Sequence, residues 1–106
     1  MRKNEIIQKL NSYNLTDFQK SVLIETMNIH VGEIRTYKDI AKAIGRPNAY
    51  RAVGSALKAN PLIMTIPCHR VIRSNGNLGN YSARGGRKKK EKLLRKEGAI
   101  QSEMRH

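Results

Sequence analysis

The chain has 106 residues, room for one small domain with a single core, and with 39% apolar residues, no Trp and one Phe that core must be aliphatic. One Cys excludes an intramolecular disulfide framework, and three scattered His offer no metal-ligand spacing, so neither a metal nor another cofactor is expected. Basic residues outnumber acidic ones 21 to 8, and 13 of the basic but three of the acidic residues lie beyond position 50, so the excess charge points to a polyanion, with nucleic acid ahead of a membrane surface.

Residues 2 to 12 read as a short helix with Ile6, Ile7 and Leu10 apolar, closed by the polar pair Asn11-Ser12. Thr16-x-x-Gln19 is a capping box, which predicts a second helix from Asp17 to about Met27 with Phe18, Val22, Leu23 and Met27 on its core face. Val31-Gly32-Glu33 is a turn. Thr36-x-x-Asp39 caps a third helix over Tyr37 to Ile44, stopped by Gly45. After the Arg46-Pro47 linker, Asn48 is placed to cap a fourth helix that runs to about Ala59. Two short helices joined by a tight Gly/Pro turn in a basic chain read as a helix-turn-helix.

On a wheel of the fourth helix, Tyr50, Val53 and Leu57 fall within about 60 degrees of one another and should face the core. Ala52, Ser55, Ala56 and Ala59 gather on the other side, a smooth face that lets a helix approach a narrow groove closely. Arg51, in the first turn, is the long side chain beside that face. It suits a phosphate contact or a wedge pushed into a base stack.

Asn60-Pro61 ends this helix, and Leu62 to Ile66 is a short segment of strand-like composition leading to Ile66-Pro67-Cys68-His69-Arg70-Val71. A lone Cys is by default a small buried hydrophobe, but these neighbours favour reactivity. Pro67 fixes the backbone entering Cys68, and His69 offers a base or, when charged, a cation that favours thiolate. Adjacent side chains diverge, so His69 should act through a water or a shared network, and a third group should orient it. Ser74-Asn75-Gly76-Asn77 carries a hairpin-turn signal, which predicts a small β-hairpin beside the cysteine. A glycine-bearing loop over 79–86 precedes a last helix from about Arg87 to Lys96, closed by Gly98; Arg87-Lys88-Lys89-Lys90 reads as a solvated face able to touch phosphates. Residues after Ile100 look frayed. The chain has no apolar run of about 18 residues and no signal peptide, which points to an intracellular location, cytoplasmic or nuclear according to the host.

In this order, Gly32-Glu33 with Thr36-Tyr37, Arg51-Ala52-Val53-Gly54, Asn60-Pro61, the Ile66 to Val71 segment, Gly79-Asn80-Tyr81-Ser82 and Glu97-Gly98 resemble the DNA-binding, active-site domain of O6-alkylguanine-DNA alkyltransferases. The resemblance covers about Leu15 to Gly98. It implies a mainly α, winged-helix-like fold with a small hairpin, divided into an N-terminal helical extension (1–16), the alkyltransferase domain (17–100) and a frayed end (101–106). It implies that Cys68 accepts the alkyl group of a flipped O6-alkylguanine, or of O4-alkylthymine, irreversibly and once. His69 would act on that thiol through a water, Glu97 would hold His69, Asn60 would brace the turn, and Tyr37 would assist the leaving guanine. Arg51 would fill the gap left by the extruded base; Ala52, Ser55, Ala56, Tyr37 and Arg70 would complete the DNA contacts in the minor groove. Gly79, Asn80, Tyr81 and Ser82 would form the substrate pocket. The implied partner is double-stranded DNA, met by a monomer.

Family members commonly carry a further amino-terminal domain, whereas about sixteen residues precede the match here, so the chain is either a minimal form or part of a longer protein. Two other readings compete. Alkyltransferase-like damage-binding proteins flag the lesion without removing it, but they replace the cysteine, usually by Trp. A helix-turn-helix regulator would carry base-reading side chains where Ala52, Ser55, Ala56 and Ala59 stand, and these are poor readers.

Overall fold

The computed structural model describes residues 2–79, 81 and 85–100, in the order α1 (Lys3–Asn11), α2 (Asp17–Thr26), β1 (Arg35–Thr36), α3 (Tyr37–Ala43), α4 (Tyr50–Lys58), a 3-10 turn (Cys68–Arg70), β2 (Val71–Ile72) and α5 (Gly86–Lys96). Two helix starts follow from reciprocal capping. Thr16 Oγ1 accepts from Gln19 N–H at 3.1 Å while the Gln19 side chain accepts from Thr16 N–H at 2.8 Å, and Thr36 with Asp39 repeats the exchange at 3.0 and 2.9 Å. The fourth helix starts differently from expectation. Its N-cap is Ala49, without a side-chain cap bond. The Ala49 N–H donates to Arg46 C=O at 2.9 Å, so a backbone turn enters the helix in place of the Asn48 side chain.

The core is aliphatic, as composition requires, with Leu10, Val22, Leu23, Ile40, Val53, Ile66 and Leu94 buried. Helices α2, α3 and α4 pack against one another, and α3 with α4 forms the helix-turn-helix pair; α5 lies on the Cys68 turn. Val53 and Leu57 face the core as the wheel predicts, but Ala56 joins them at 1% exposure. Its place next to Val53 on the wheel lets it serve as a close-packing contact, and it cannot also meet a groove. Ala52, Ser55 and Ala59 are exposed.

The expected hairpin is replaced by a parallel pair. The Asn75-Gly76 turn does close, with Arg73 N–H on Asn77 C=O at 2.8 Å and Asn77 N–H on the Asn75 side chain at 3.0 Å, yet no second strand follows it among the described residues. Instead β2 pairs with β1, Arg35 opposite Val71 and Thr36 opposite Ile72. Val71 and Ile72 are both buried, the continuous apolar pattern of a strand covered on both faces, whereas Asn77-Leu78-Gly79 offers a single apolar residue to a partner. The five residues from Leu62 to Ile66 form a tight loop in place of an extended strand: Ile66 N–H returns to Leu62 C=O at 2.8 Å, and Met64 takes a left-handed φ of 75°. Among the described residues no helix is long and apolar enough to cross a membrane.

Candidate active site

Asn60 holds both ends of the loop that delivers the cysteine. Its Nδ2 donates to Ile66 C=O at 3.1 Å and its Oδ1 accepts from Leu62 N–H at 2.9 Å. The side chain is buried, so these groups have little recourse to water. Asn60→Ala is therefore expected to cost about 2–4 kcal/mol, the sum of a buried carbonyl and an amide left unpaired. Urea denaturation measures this directly, and a loss below about 1 kcal/mol would remove the bracing role.

Cys68 follows Pro67 into the 3-10 turn with its N–H on Ile66 C=O at 2.8 Å. It is 5% exposed and borders a cavity of about 480 Å³ shared with Tyr37, Tyr50, Arg51, Ser55, Arg73 and Tyr81. Burial pushes the Cys68 thiol up, while Asn60 and the charge of Lys90 pull it back down. Tyr37, at the first position of α3, and Tyr81 are both raised by burial and stay neutral at pH 7. Tyr81 Oη donates to Met64 Sδ at 3.6 Å, which ties the pocket loop to the left-handed residue of the preceding loop. Gly79, at φ 78°, passes beside Tyr37: a Cβ there would lie 2.6 Å from the Tyr37 hydroxyl. Asn80 and Ser82, also expected in the pocket, lie outside the described residues.

The third group demanded by His69 is Glu97. His69 Nε2 and Glu97 Oε2 are 2.9 Å apart, with His69 1% exposed. The same carboxylate takes a two-pronged contact from Arg70, Nε to Oε1 and Nη2 to Oε2, both at 2.9 Å, and Arg70 Nη1 reaches Ile29 C=O at 2.8 Å. Arg70 was expected among the DNA contacts. The structure turns it inward as the clamp on Glu97, because a guanidinium matches a carboxylate in both prongs. Hydrogen bonding from Arg70, more than from His69, holds the Glu97 carboxyl below its ordinary range. Burial lowers His69 below its ordinary value, which favours the neutral ring at pH 7. An ionised Glu97 can only accept, so Nε2 carries the ring proton and Nδ1 carries the lone pair. Nδ1 is buried and has no hydrogen-bond partner among the described residues.

Three features escaped the sequence reading. Tyr50, assigned to the core alone, is half-buried and borders the cavity with Lys38 Nζ 5.2 Å from its ring centroid. Arg73 and the turn residues Ser74 and Asn75 also line the cavity. Lys90, read as solvated, is buried; the signal for it was Leu94 one turn later, on the same helical stripe. Arg51 is exposed and borders the same cavity. His30 is solvent-exposed, and His106 lies outside the described residues.

This arrangement can be set beside known proteins. The family described as "6-O-methylguanine DNA methyltransferase, DNA binding domain" matches residues 17–99. A methylated-DNA--protein-cysteine methyltransferase of Methanosarcina barkeri is 52% identical over 95 residues, 84% of this chain and 59% of that protein. The Mycobacterium tuberculosis OGT solved in complex with DNA superposes with a TM-score of 0.76 at 44% identity, over 81% of this chain and 52% of that one. Schizosaccharomyces pombe Atl1, solved with damaged DNA containing O6-carboxymethylguanine, gives a TM-score of 0.70 at 30% identity, over 81% of this chain and 80% of that one. The chain spans 50% to 59% of the length of the first curated relatives it matches. Family match, sequence identity and superposition agree, and the chain belongs to the 6-O-methylguanine DNA methyltransferase family, in its DNA-binding domain.

Proposed function

We propose that residues 17–100 repair DNA by direct reversal, moving the alkyl group of a flipped O6-alkylguanine to Cys68 in a single turnover. The observation that carries this reading is a buried thiol at the wall of an open cavity, next to a neutral histidine whose proton position is set by Glu97. An O6-alkyl carbon is out of a protein's reach inside the duplex, so the nucleotide must leave the stack at a cost of a few kcal/mol. Arg51 offsets that cost by entering the gap, while the exposed small residues Ala52 and Ser55 let α4 settle in the minor groove of double-stranded DNA. His69 Nδ1 takes the thiol proton through a water. The sulfur then forms its bond to the alkyl carbon as the carbon–O6 bond breaks, and the electron pair passes to guanine. The Tyr37 hydroxyl hydrogen-bonds or protonates the departing base. The protein works as a monomer inside the cell, and O4-alkylthymine is a further substrate of the same chemistry.

Intact-mass spectrometry after incubation with a duplex holding one O6-methylguanine tests this. The expected result is one methyl group on the peptide containing Cys68 and none with undamaged DNA. The similarity to Atl1 over most of that chain supports a second reading, a damage-binding module. Tight binding to the same duplex without mass gain selects it. Arg51→Ala is expected to slow transfer from a well-paired target roughly tenfold more than from a mismatched one, since mismatching already meets part of the unstacking cost. Equal losses on the two substrates would rule out the wedge.

A further inference from the structure

Seven of the eleven residues of α5 are Lys or Arg, and the fold turns one of them, Lys90, inward. Lys88, Lys89, Lys92 and Lys96 are exposed. At about 100 degrees per residue these four lie within about 100 degrees of one another, on the side of the helix opposite the buried Lys90 and Leu94. From Lys88 to Lys96 the row runs about 12 Å along the helix axis.

The fold does not neutralise this row. None of the four lysines has an ion pair among the described residues. Beyond position 50 the sequence holds three acids: Glu91 is engaged by Arg95, Glu97 by Arg70 and His69, and Glu103 lies outside the described residues. Lys92 stands one turn from both Lys88 and Lys96, where like charges work against a helix. The first turn adds Arg87 and Lys89 and carries no acid, at the helix end where the macrodipole favours an anion. A face that served solubility alone would interleave both signs. This one is arranged for a polyanion from outside.

The row is separate from the site already described. Helix α5 packs on the turn that carries Cys68, and Lys90 on its inner side lies 6.0 Å from the centroid of the Tyr37 ring, yet no residue of α5 lines the cavity. The four lysines point away from both. A duplex with a base in the cavity would lie over α4, whose exposed basic residues are Arg51 and Lys58. The denser charge is thus on the other helix. About 12 Å of duplex carries roughly seven phosphate charges, enough to face all four ammoniums. Lysines meet phosphates as point charges and read no sequence.

We propose that the outer face of α5 is a second DNA-binding surface, which takes the backbone phosphates of a duplex other than the one seated at the cavity, so that one molecule holds two duplex segments. The inference rests on the proposed function for the first segment only. Held at both faces, the protein passes between segments without full release, which shortens the search for a rare lesion by a protein that acts once.

The test mixes two undamaged duplexes, one with a donor and one with an acceptor dye, and follows energy transfer between them as the full chain is added. It is repeated with Lys88→Gln, Lys89→Gln, Lys92→Gln and Lys96→Gln combined, and with the same four positions changed to Arg, each with a thermal melt. Transfer is expected with the parent and the Arg form, and about tenfold less with the Gln form, whose affinity for a single duplex stays within about threefold and whose melt is no lower. In the parent, affinity for the second duplex should fall about a hundredfold between about 50 and 200 mM salt, as four phosphate contacts require. Should the fourfold form not fold, Lys92→Gln alone must lower the salt slope by about one. Undiminished transfer in the Gln form overturns the proposal, as does its loss in the Arg form. No transfer with the parent, alongside full single-duplex affinity in the Gln form, overturns it equally. No transfer with the parent, alongside lost single-duplex binding in the Gln form, would remove α4 as a DNA face and leave the α5 surface standing. Displacement of the second duplex by a hairpin RNA at about a tenth of the concentration needed of unlabelled duplex would assign the face to RNA and overturn the proposal. Absence of methyl transfer in parent and Gln form alike would count against the repair reading alone.

Discussion

Cys68→Ala is expected to reduce alkyl transfer to nothing measurable while leaving affinity for a lesion-bearing duplex within about threefold. Displacement at an alkyl carbon needs a soft nucleophile, and the sequence holds no second cysteine to substitute for this one. The sulfur contributes to the cavity wall and not to the exposed face of α4, so its loss leaves the groups proposed to meet DNA in place. Mass spectrometry with the methylated duplex reads the first part and fluorescence anisotropy the second. A methyl group found on any other residue of the variant would sink the mechanism.

Glu97→Gln is expected to damage both stability and rate. The amide cannot accept both prongs of Arg70, which is left as a nearly buried guanidinium without its counter-charge; about 3 kcal/mol is expected, the low end for a broken buried pair because both side chains retain some exposure. The amide also offers a proton toward His69 Nε2. The ring then favours its other tautomer, with the proton on Nδ1, where the base is needed. Loss of an oriented base slows transfer by roughly 10²–10⁴-fold. The two effects separate by pH. Arg70 depresses the Glu97 carboxyl in the folded protein, so the stability it contributes is present above the ordinary carboxylate range and is lost as pH falls through the depressed value. The stability difference between parent and variant should therefore be full at pH 7 and shrink toward pH 3. A constant difference across that range would deny the charge its role.

What the sequence made legible was local. Thr16 with Gln19 and Thr36 with Asp39 set helix starts within one turn of chain, and Pro67 marked the turn into Cys68. Readings failed where the decisive partner was remote. Arg70 looked like a DNA contact because nothing near it in sequence competes for a guanidinium; Glu97, on the far side of α5, does. Lys90 looked solvated because the basic run around it outweighed Leu94. The hairpin was predicted from a turn that does form, but Val71 and Ile72 find β1 rather than the residues that follow the turn. Within the site, the roles proposed for Tyr37, Asn60 and Glu97 came only through family resemblance, since each is an ordinary residue in its own window.

The two-residue parallel pair has a kinetic meaning. Arg35 meets Val71 across thirty-six positions, and a parallel register cannot be reached by a tight turn. Its loop-closure entropy must be met before the contact returns anything, so this pairing belongs among the late events of folding, after α2, α3 and α4 have local contacts to guide them. Tyr37 directly follows β1, and Cys68 lies three residues before β2. Cys68 and Tyr37, the two groups on which the proposed transfer turns, are thus brought to the same cavity by one of the last steps of the folding reaction, and a half-folded chain holds its thiol outside that cavity.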